Sequence, residues 1–146
     1  MMNTCEPDSF ARPGHTCNKS SLDVRTQDLR YALEQMQKLA WIDPDRIVLM
    51  GFSQGCAAVA NWDAPGVQAH IILENHCAGQ QPRAPQNIPV LTIIGGEDEY
   101  LKGTSCKVTR TLKGSGSIVI PGAPHALDWE PEVAAAISEF LDSCCR

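Results

Sequence analysis

The pentapeptide Gly51-Phe52-Ser53-Gln54-Gly55 constrains this chain more than any other stretch, because of what stands on either side of it. Before it runs the apolar segment Arg46-Ile47-Val48-Leu49-Met50, which reads as a strand; after it runs Cys56-Ala57-Ala58-Val59-Ala60-Asn61-Trp62, which favours a helix. A strand that turns sharply into a helix through G-x-S-x-G leaves the serine hydroxyl exposed at the strand's end. The two glycines are expected to remove side chains where the chain folds back. Ser53 is therefore a candidate nucleophile; the alternative is a serine that only caps the helix.

A nucleophilic serine needs a base and a group to orient that base, and both must come from elsewhere in the chain. The β-branched run Pro89-Val90-Leu91-Thr92-Ile93-Ile94-Gly95 predicts a strand that ends at Gly96-Glu97-Asp98, placing a carboxylate just past it. Asp98 is the candidate acid, and Glu97 competes for the role. A further run, Ser117-Ile118-Val119-Ile120, leads into the turn Pro121-Gly122-Ala123-Pro124-His125, which makes His125 the candidate base. His70 lies within a predicted strand and His76 just past one, so each is expected to be a hydrogen-bonded structural imidazole, while His15 falls in a loop.

The order Ser53, Asp98, His125, each following a strand, is that of the α/β-hydrolases. Here the sequence resembles that superfamily, and within it the dienelactone hydrolase-like branch. The resemblance is carried by Asp8-Ser9-Phe10-Ala11-Arg12-Pro13-Gly14, Trp41-Ile42-Asp43-Pro44-Asp45-Arg46-Ile47, the Gly51 to Gly55 turn, Ile88-Pro89-Val90-Leu91 with Asp98, and Pro121-Gly122 with His125. It covers nearly the whole chain. Dienelactone hydrolases proper use cysteine where this turn has Ser53, so the resemblance implies hydrolysis of small carboxylic esters by a serine esterase. The spacing Gly95-x-x-Asp98 matches the family and favours Asp98 over Glu97. The resemblance also implies an oxyanion donor at the Gln54 amide, a substrate pocket flanked by Phe52 and Trp129, and Arg12 near the site, where it suits a carboxylate-bearing substrate; no cofactor or metal is implied. The family normally carries four strands ahead of its nucleophile strand, and few residues precede Ser53 here. Most of that front half, including the loop that supplies a second oxyanion donor, is expected to be missing, which predicts slow turnover, since one lost donor typically costs about 10² to 10³ in rate.

The rest of the chain fits a single α/β domain over residues 1–146. Ser20 or Ser21 is expected to cap a helix reaching about Leu39, with Leu22, Leu29, Leu33 (or Ala32), Met36 and Leu39 on one face. Asp43-Pro44-Asp45 predicts a turn, Ala69 to Glu74 a strand, residues 103 to 112 a weaker helix, and Pro131 the first turn of a final helix buried through Val133, Ile137, Phe140 and Leu141, with Asp128 as its cap. About four strands alternating with helices predict a short parallel sheet in a three-layer αβα arrangement, a truncated or minimal α/β-hydrolase.

Composition excludes several classes. Twelve basic and 17 acidic residues give a net charge of −5 with no basic cluster, which argues against nucleic-acid binding. No apolar run is long enough to span a membrane, and Met1-Met2-Asn3-Thr4 does not begin a secretory leader. Seven cysteines leave the compartment open: Cys77 with Cys106, or Cys5 with Cys17, suit bridges, and buried thiols are the alternative. Cys56 is expected to pack as a small apolar side chain. His15-Thr16-Cys17 and His76-Cys77 lack the second ligand pair that a zinc site requires. Two partners remain in view: a small-molecule ester and, if no earlier strands cover Ile47 to Met50, a second copy of the chain joined along that open sheet edge. The reading from a different class is a hydrolase-like fragment or interaction module without turnover.

Overall fold

The computed structural model describes residues 16–75, 77, 80–101, 105–127 and 130–145, the first six of them by backbone alone. Arg12, Trp129, His15, His76, Cys5 and Asp128 lie outside the described residues. The structure is a four-stranded, all-parallel sheet with three helices: α1 (Thr16–Met36), β1 (Val48–Phe52), α2 (Gly55–Ala60), β2 (Ala69–Leu73), β3 (Val90–Gly95), β4 (Gly116–Ile120) and α3 (Pro131–Cys144). Strand order follows chain order, so β2 and β3 are central and β1 and β4 lie at the two sides. The central strands, AHIIL and VLTIIG, are buried at every position. β1 and β4 instead alternate in burial, which leaves Met50, Phe52 and Val119 exposed. Among the described residues β1 pairs with β2 alone.

Register places the site. Phe52 pairs with Leu73, Leu73 with Ile93, and Gly95 with Ile120, so all four strands deliver their carboxyl ends to one edge. The residues just past those ends are Ser53, Glu74, the Gly96 to Asp98 turn and the loop to His125. In open parallel sheets this is the edge where chemistry gathers.

The helices depart from expectation in detail. α1 starts four residues before Ser20 and carries both serines inside it, so neither is its cap. It ends at Met36, and while Leu33 is buried, Met36 and Leu39 are exposed. The strand expected over 46 to 50 lies two residues later and takes in Gly51 and Phe52. Ahead of it Asp43 behaves as predicted, accepting the Asp45 amide at the head of a one-turn 3-10 helix, Pro44–Arg46. No helix occupies 105–111. That segment has no regular structure and is held by Arg110, whose guanidinium donates to the carbonyls of Pro85 and Ile88 at 2.7 Å, of Ala84 at 2.9 Å and of Pro82 at 3.4 Å. Those four-way contacts fix the loop ahead of β3 and satisfy carbonyls that no ladder reaches. α3 begins at Pro131 as expected and buries Val133 and Phe140, with Ile137 and Leu141 half-buried.

Cys77 and Cys106 form a disulfide across 29 residues, tying the segment after β2 to the chain that leaves β3. Closing a loop of that length stabilises a fold by on the order of 3 to 4 kcal/mol in the chain-entropy picture. His70, in the middle of β2, is fully buried; the Val59 backbone carbonyl approaches its ring, but neither ring nitrogen makes a hydrogen bond of full geometry among the described residues, short of the bonded imidazole expected. Burial, with Arg110 nearby, outweighs the Val59 carbonyl, pushes the imidazole down to about 4 and keeps it neutral.

Candidate active site

The turn at Ser53 is built by backbone geometry. Ser53 itself has φ 50°, in the left-handed region that is rare for a residue with a side chain and that lifts its hydroxyl off the strand's end. Gly51 is needed for contact: a Cβ there would stand 2.9 Å from the backbone N and Cα of Cys56, where α2 folds back over β1. Gly55 differs from expectation, since a Cβ there meets nothing within 4 Å. The turn is anchored by the Ser53 amide, which donates to the Leu73 carbonyl at 2.8 Å, and by Cys56 beneath it. The Cys56 sulfur lies 2.6 Å from the Gly51 carbonyl and accepts the Leu73 N–H at 3.0 Å. Burial pushes this thiol up to about 12, so Cys56 is a packing group without thiolate character.

The loops after β3 and β4 are laced together. Gly96 and Glu97 donate their amides to the carbonyls of Ile120 and Ala123 at 2.8 and 2.9 Å. Gly95 sits so close under the second loop that a Cβ would collide with the carbonyl oxygens of Ala123 and Pro124. The effect is to carry Asp98 and His125 toward Ser53.

The three side chains meet. His125 Nε2 lies 2.9 Å from Ser53 Oγ, and His125 Nδ1 lies 2.7 Å from Asp98 Oδ2. Asp98 is buried, whereas Glu97 is exposed and points its carboxylate to solvent. The other oxygen of Asp98, Oδ1, accepts the amides of Tyr100 and Leu101, each at 2.7 Å. Burial acts against the charge on Asp98, but Glu74, His125 and those two amides outweigh it and hold the carboxyl down at about 2. An ionised Asp98 requires Nδ1 to carry the ring proton, which leaves Nε2 free to accept from the serine hydroxyl. A hydroxyl so placed, on an imidazole backed by a buried carboxylate, has the arrangement that transfers a proton as the oxygen attacks a carbonyl.

Among the other residues expected near the site, Phe52 is present and half exposed, its ring 5.6 Å from that of His125. Gln54 caps α2, and its side chain accepts from Arg25 of α1 at 2.7 Å. Its amide precedes the first helical turn, where backbone N–H groups have no partner within the helix. Three neighbours had not been singled out. Tyr100 sets its ring edge against His125 at 4.9 Å, and Asn75 donates to the Ser53 carbonyl at 3.4 Å. Glu74 is the third, a fully buried carboxyl whose Oε2 is 3.8 Å from His125 Nδ1. Its sequence signal was available: a charged residue that closes the apolar run AHIIL at the same strand end as Ser53.

Glu74, Asp98 and His125 bring ligating atoms within 4.8 Å of one another, the only such trio among the described residues. The Nδ1 to Oδ2 separation of 2.7 Å is that of a hydrogen bond, with a proton between the two atoms. An apolar groove of about 340 Å³ lies between β1 and α3, lined by Met50, Phe52, Leu73, Leu127, Val133 and Ile137 among others; none of Ser53, His125 and Asp98 lines it. Compared with family models and with curated proteins, the chain matches none.

Proposed function

We propose that this chain is a serine hydrolase that cleaves small carboxylic esters, a minimal α/β-hydrolase of the dienelactone hydrolase-like kind with helices on both faces of its sheet. The observation that carries the reading is the unbroken chain of hydrogen bonds from Ser53 Oγ through His125 to Asp98. In this scheme His125 Nε2 takes the proton from Ser53 as Oγ bonds to the ester carbonyl carbon. The imidazolium, stabilised by Asp98, gives that proton to the departing alkoxide, and an acyl group remains on Ser53. Water, deprotonated by the same nitrogen, then attacks the acyl carbon; the acid leaves and Ser53 is restored. The Gln54 amide stabilises the oxyanion in both halves. Arg12 and Trp129 keep the substrate-binding roles that the family resemblance implies, and no cofactor enters the scheme.

The groove supports an apolar ester. Its lining is aliphatic and aromatic, and it includes Phe52, the residue before Ser53 in the chain. Each methylene buried there contributes about 0.8 kcal/mol. A series of p-nitrophenyl esters with acetyl, butyryl and octanoyl groups tests both points: hydrolysis is expected for the series, with KM falling from acetyl to butyryl. A folded protein that turns over none of them would overturn the reading.

A second reading has one observation in its favour. β1 lies at the side of the sheet with Met50 and Phe52 exposed, which suits an interaction module that pairs β1 with another strand, a second copy of the chain included. Esterase turnover by a monomer would exclude it as the main role.

A further inference from the structure

Glu74 is a second carboxyl group behind the imidazole, and nothing in the hydrolysis scheme uses it. It follows β2 in left-handed backbone, φ 56°, and its side chain is wholly buried. Its two oxygens have separate surroundings. Oε1 accepts the Gly95 N–H at 2.7 Å, at the base of the loop that carries Asp98. Oε2 faces His125 Nδ1, 3.8 Å away, and the Asp98 carboxyl, the acceptor that a proton on Oε2 would reach. Two carboxyl groups this close and this buried do not both ionise; one keeps its proton. Asp98 has the stronger hold on the charge, with two amides and the imidazole donating to it. The proton therefore belongs to Glu74. Because Oε1 already serves as an acceptor, the proton resides on Oε2, the oxygen turned toward the pair.

We propose that Glu74 is a positioning residue for the Ser53, His125 and Asp98 relay: as a buried carboxylic acid it joins the Gly95 amide to the Asp98 carboxylate and fixes Asp98 against Nδ1. The proposal rests on the hydrolase reading for its catalytic consequence, though the shared proton does not depend on turnover. Burial, with Asp98 adding to it, raises the Glu74 carboxyl to about 8 against the pull of the Gly95 amide. The folded form holds the Glu74 proton more tightly than the unfolded chain does, so its contribution to stability is complete below about 4.5 and is lost as pH climbs to about 8. Above that value Glu74 ionises, and like-charge repulsion with Asp98 replaces a hydrogen bond. The groups that face Glu74 are Asp98 from the loop after β3, His125 from the loop after β4, and the Cys56 thiol from α2, which stays protonated throughout.

The test compares the wild type with E74Q, which keeps an acceptor for Gly95 and a donor for Asp98 but cannot ionise, and with E74L, which keeps neither. Two readouts are followed across neutral and alkaline pH: kcat and KM for p-nitrophenyl acetate, and the ring resonances of His125. At neutral pH, E74L is expected to lower kcat at least tenfold with KM little changed, and E74Q to recover most of that loss. The His125 resonances of the wild type should show an inflection near pH 8 that E74Q lacks. If E74L does not fold, the inflection and its loss in E74Q decide the matter. Wild-type kcat in E74L, or His125 resonances that titrate identically in the wild type and E74Q, would overturn the proposal. Should no variant hydrolyse the ester while the inflection is present in the wild type and absent from E74Q, the esterase reading falls and the shared proton stands.

Discussion

Replacing Ser53 by alanine is expected to lower ester hydrolysis by about 10⁴-fold or more, down to the level of the uncatalysed reaction if the wild type itself is slow. No other substitution removes so much at so little cost to the fold. The Ser53 amide still donates to Leu73, Gly51 still clears Cys56, and Ala adopts the same left-handed backbone with no greater penalty than Ser. What disappears is the Oγ that His125 Nε2 holds at 2.9 Å. His125→Ala is expected to do nearly the same, and the double variant to do no worse, because nucleophile and base act as one unit and their losses do not add. Steady-state rates at neutral pH, with circular dichroism to show that each variant is folded, check this. A Ser53→Ala protein that keeps even a tenth of a clearly measurable wild-type rate would remove Ser53 from the chemistry.

The second large effect is on stability. Gly95→Ala is expected to cost about 3 kcal/mol or more, because the new methyl group would be driven into the backbone carbonyls of Ala123 and Pro124 rather than into a side chain free to move aside. Those carbonyls belong to the loop that presents His125. The loop can give way only by breaking the bonds from Gly96 and Glu97 to Ile120 and Ala123, so activity should fall along with stability. Gly55→Ala is the matched control. It places a methyl group where nothing lies within 4 Å, in a helix that favours alanine over glycine by about 0.5 to 1 kcal/mol, and should be neutral or stabilising. Urea midpoints for the two variants separate these outcomes; equal midpoints would contradict the packing described at Gly95.

The contrast between these glycines shows what sequence conveys and what it withholds. Both Gly51 and Gly55 belong to the motif, and the motif implied a steric need for each; only the path of α2 over β1 reveals that Gly51 has the need and Gly55 does not. The strands were legible because Ile71, Ile72, Ile93 and Ile94 belong to short, nearly unbroken apolar runs of a kind that a buried parallel sheet requires. With the strands came the three residues beyond their ends. The helix expected over 103 to 112 is absent from 105–111 because the conformation there is set by Arg110 reaching back to carbonyls more than twenty residues earlier. Local propensity contains no trace of such a bond. The burial of His70 and of Glu74 is a property of the packed sheet and loops, invisible in the residue type.

The most direct measurement is the reaction of the whole chain with a fluorophosphonate, followed by peptide mass spectrometry. A serine activated by His125 and Asp98 attacks phosphorus, expels fluoride and keeps the phosphonyl group, whereas an ordinary surface serine does not react. The expected result is one adduct per chain, on the peptide that contains Ser53, and none in His125→Ala. A folded protein that remains unlabelled, or one labelled at a different serine, would contradict the assignment of Ser53 as an activated nucleophile.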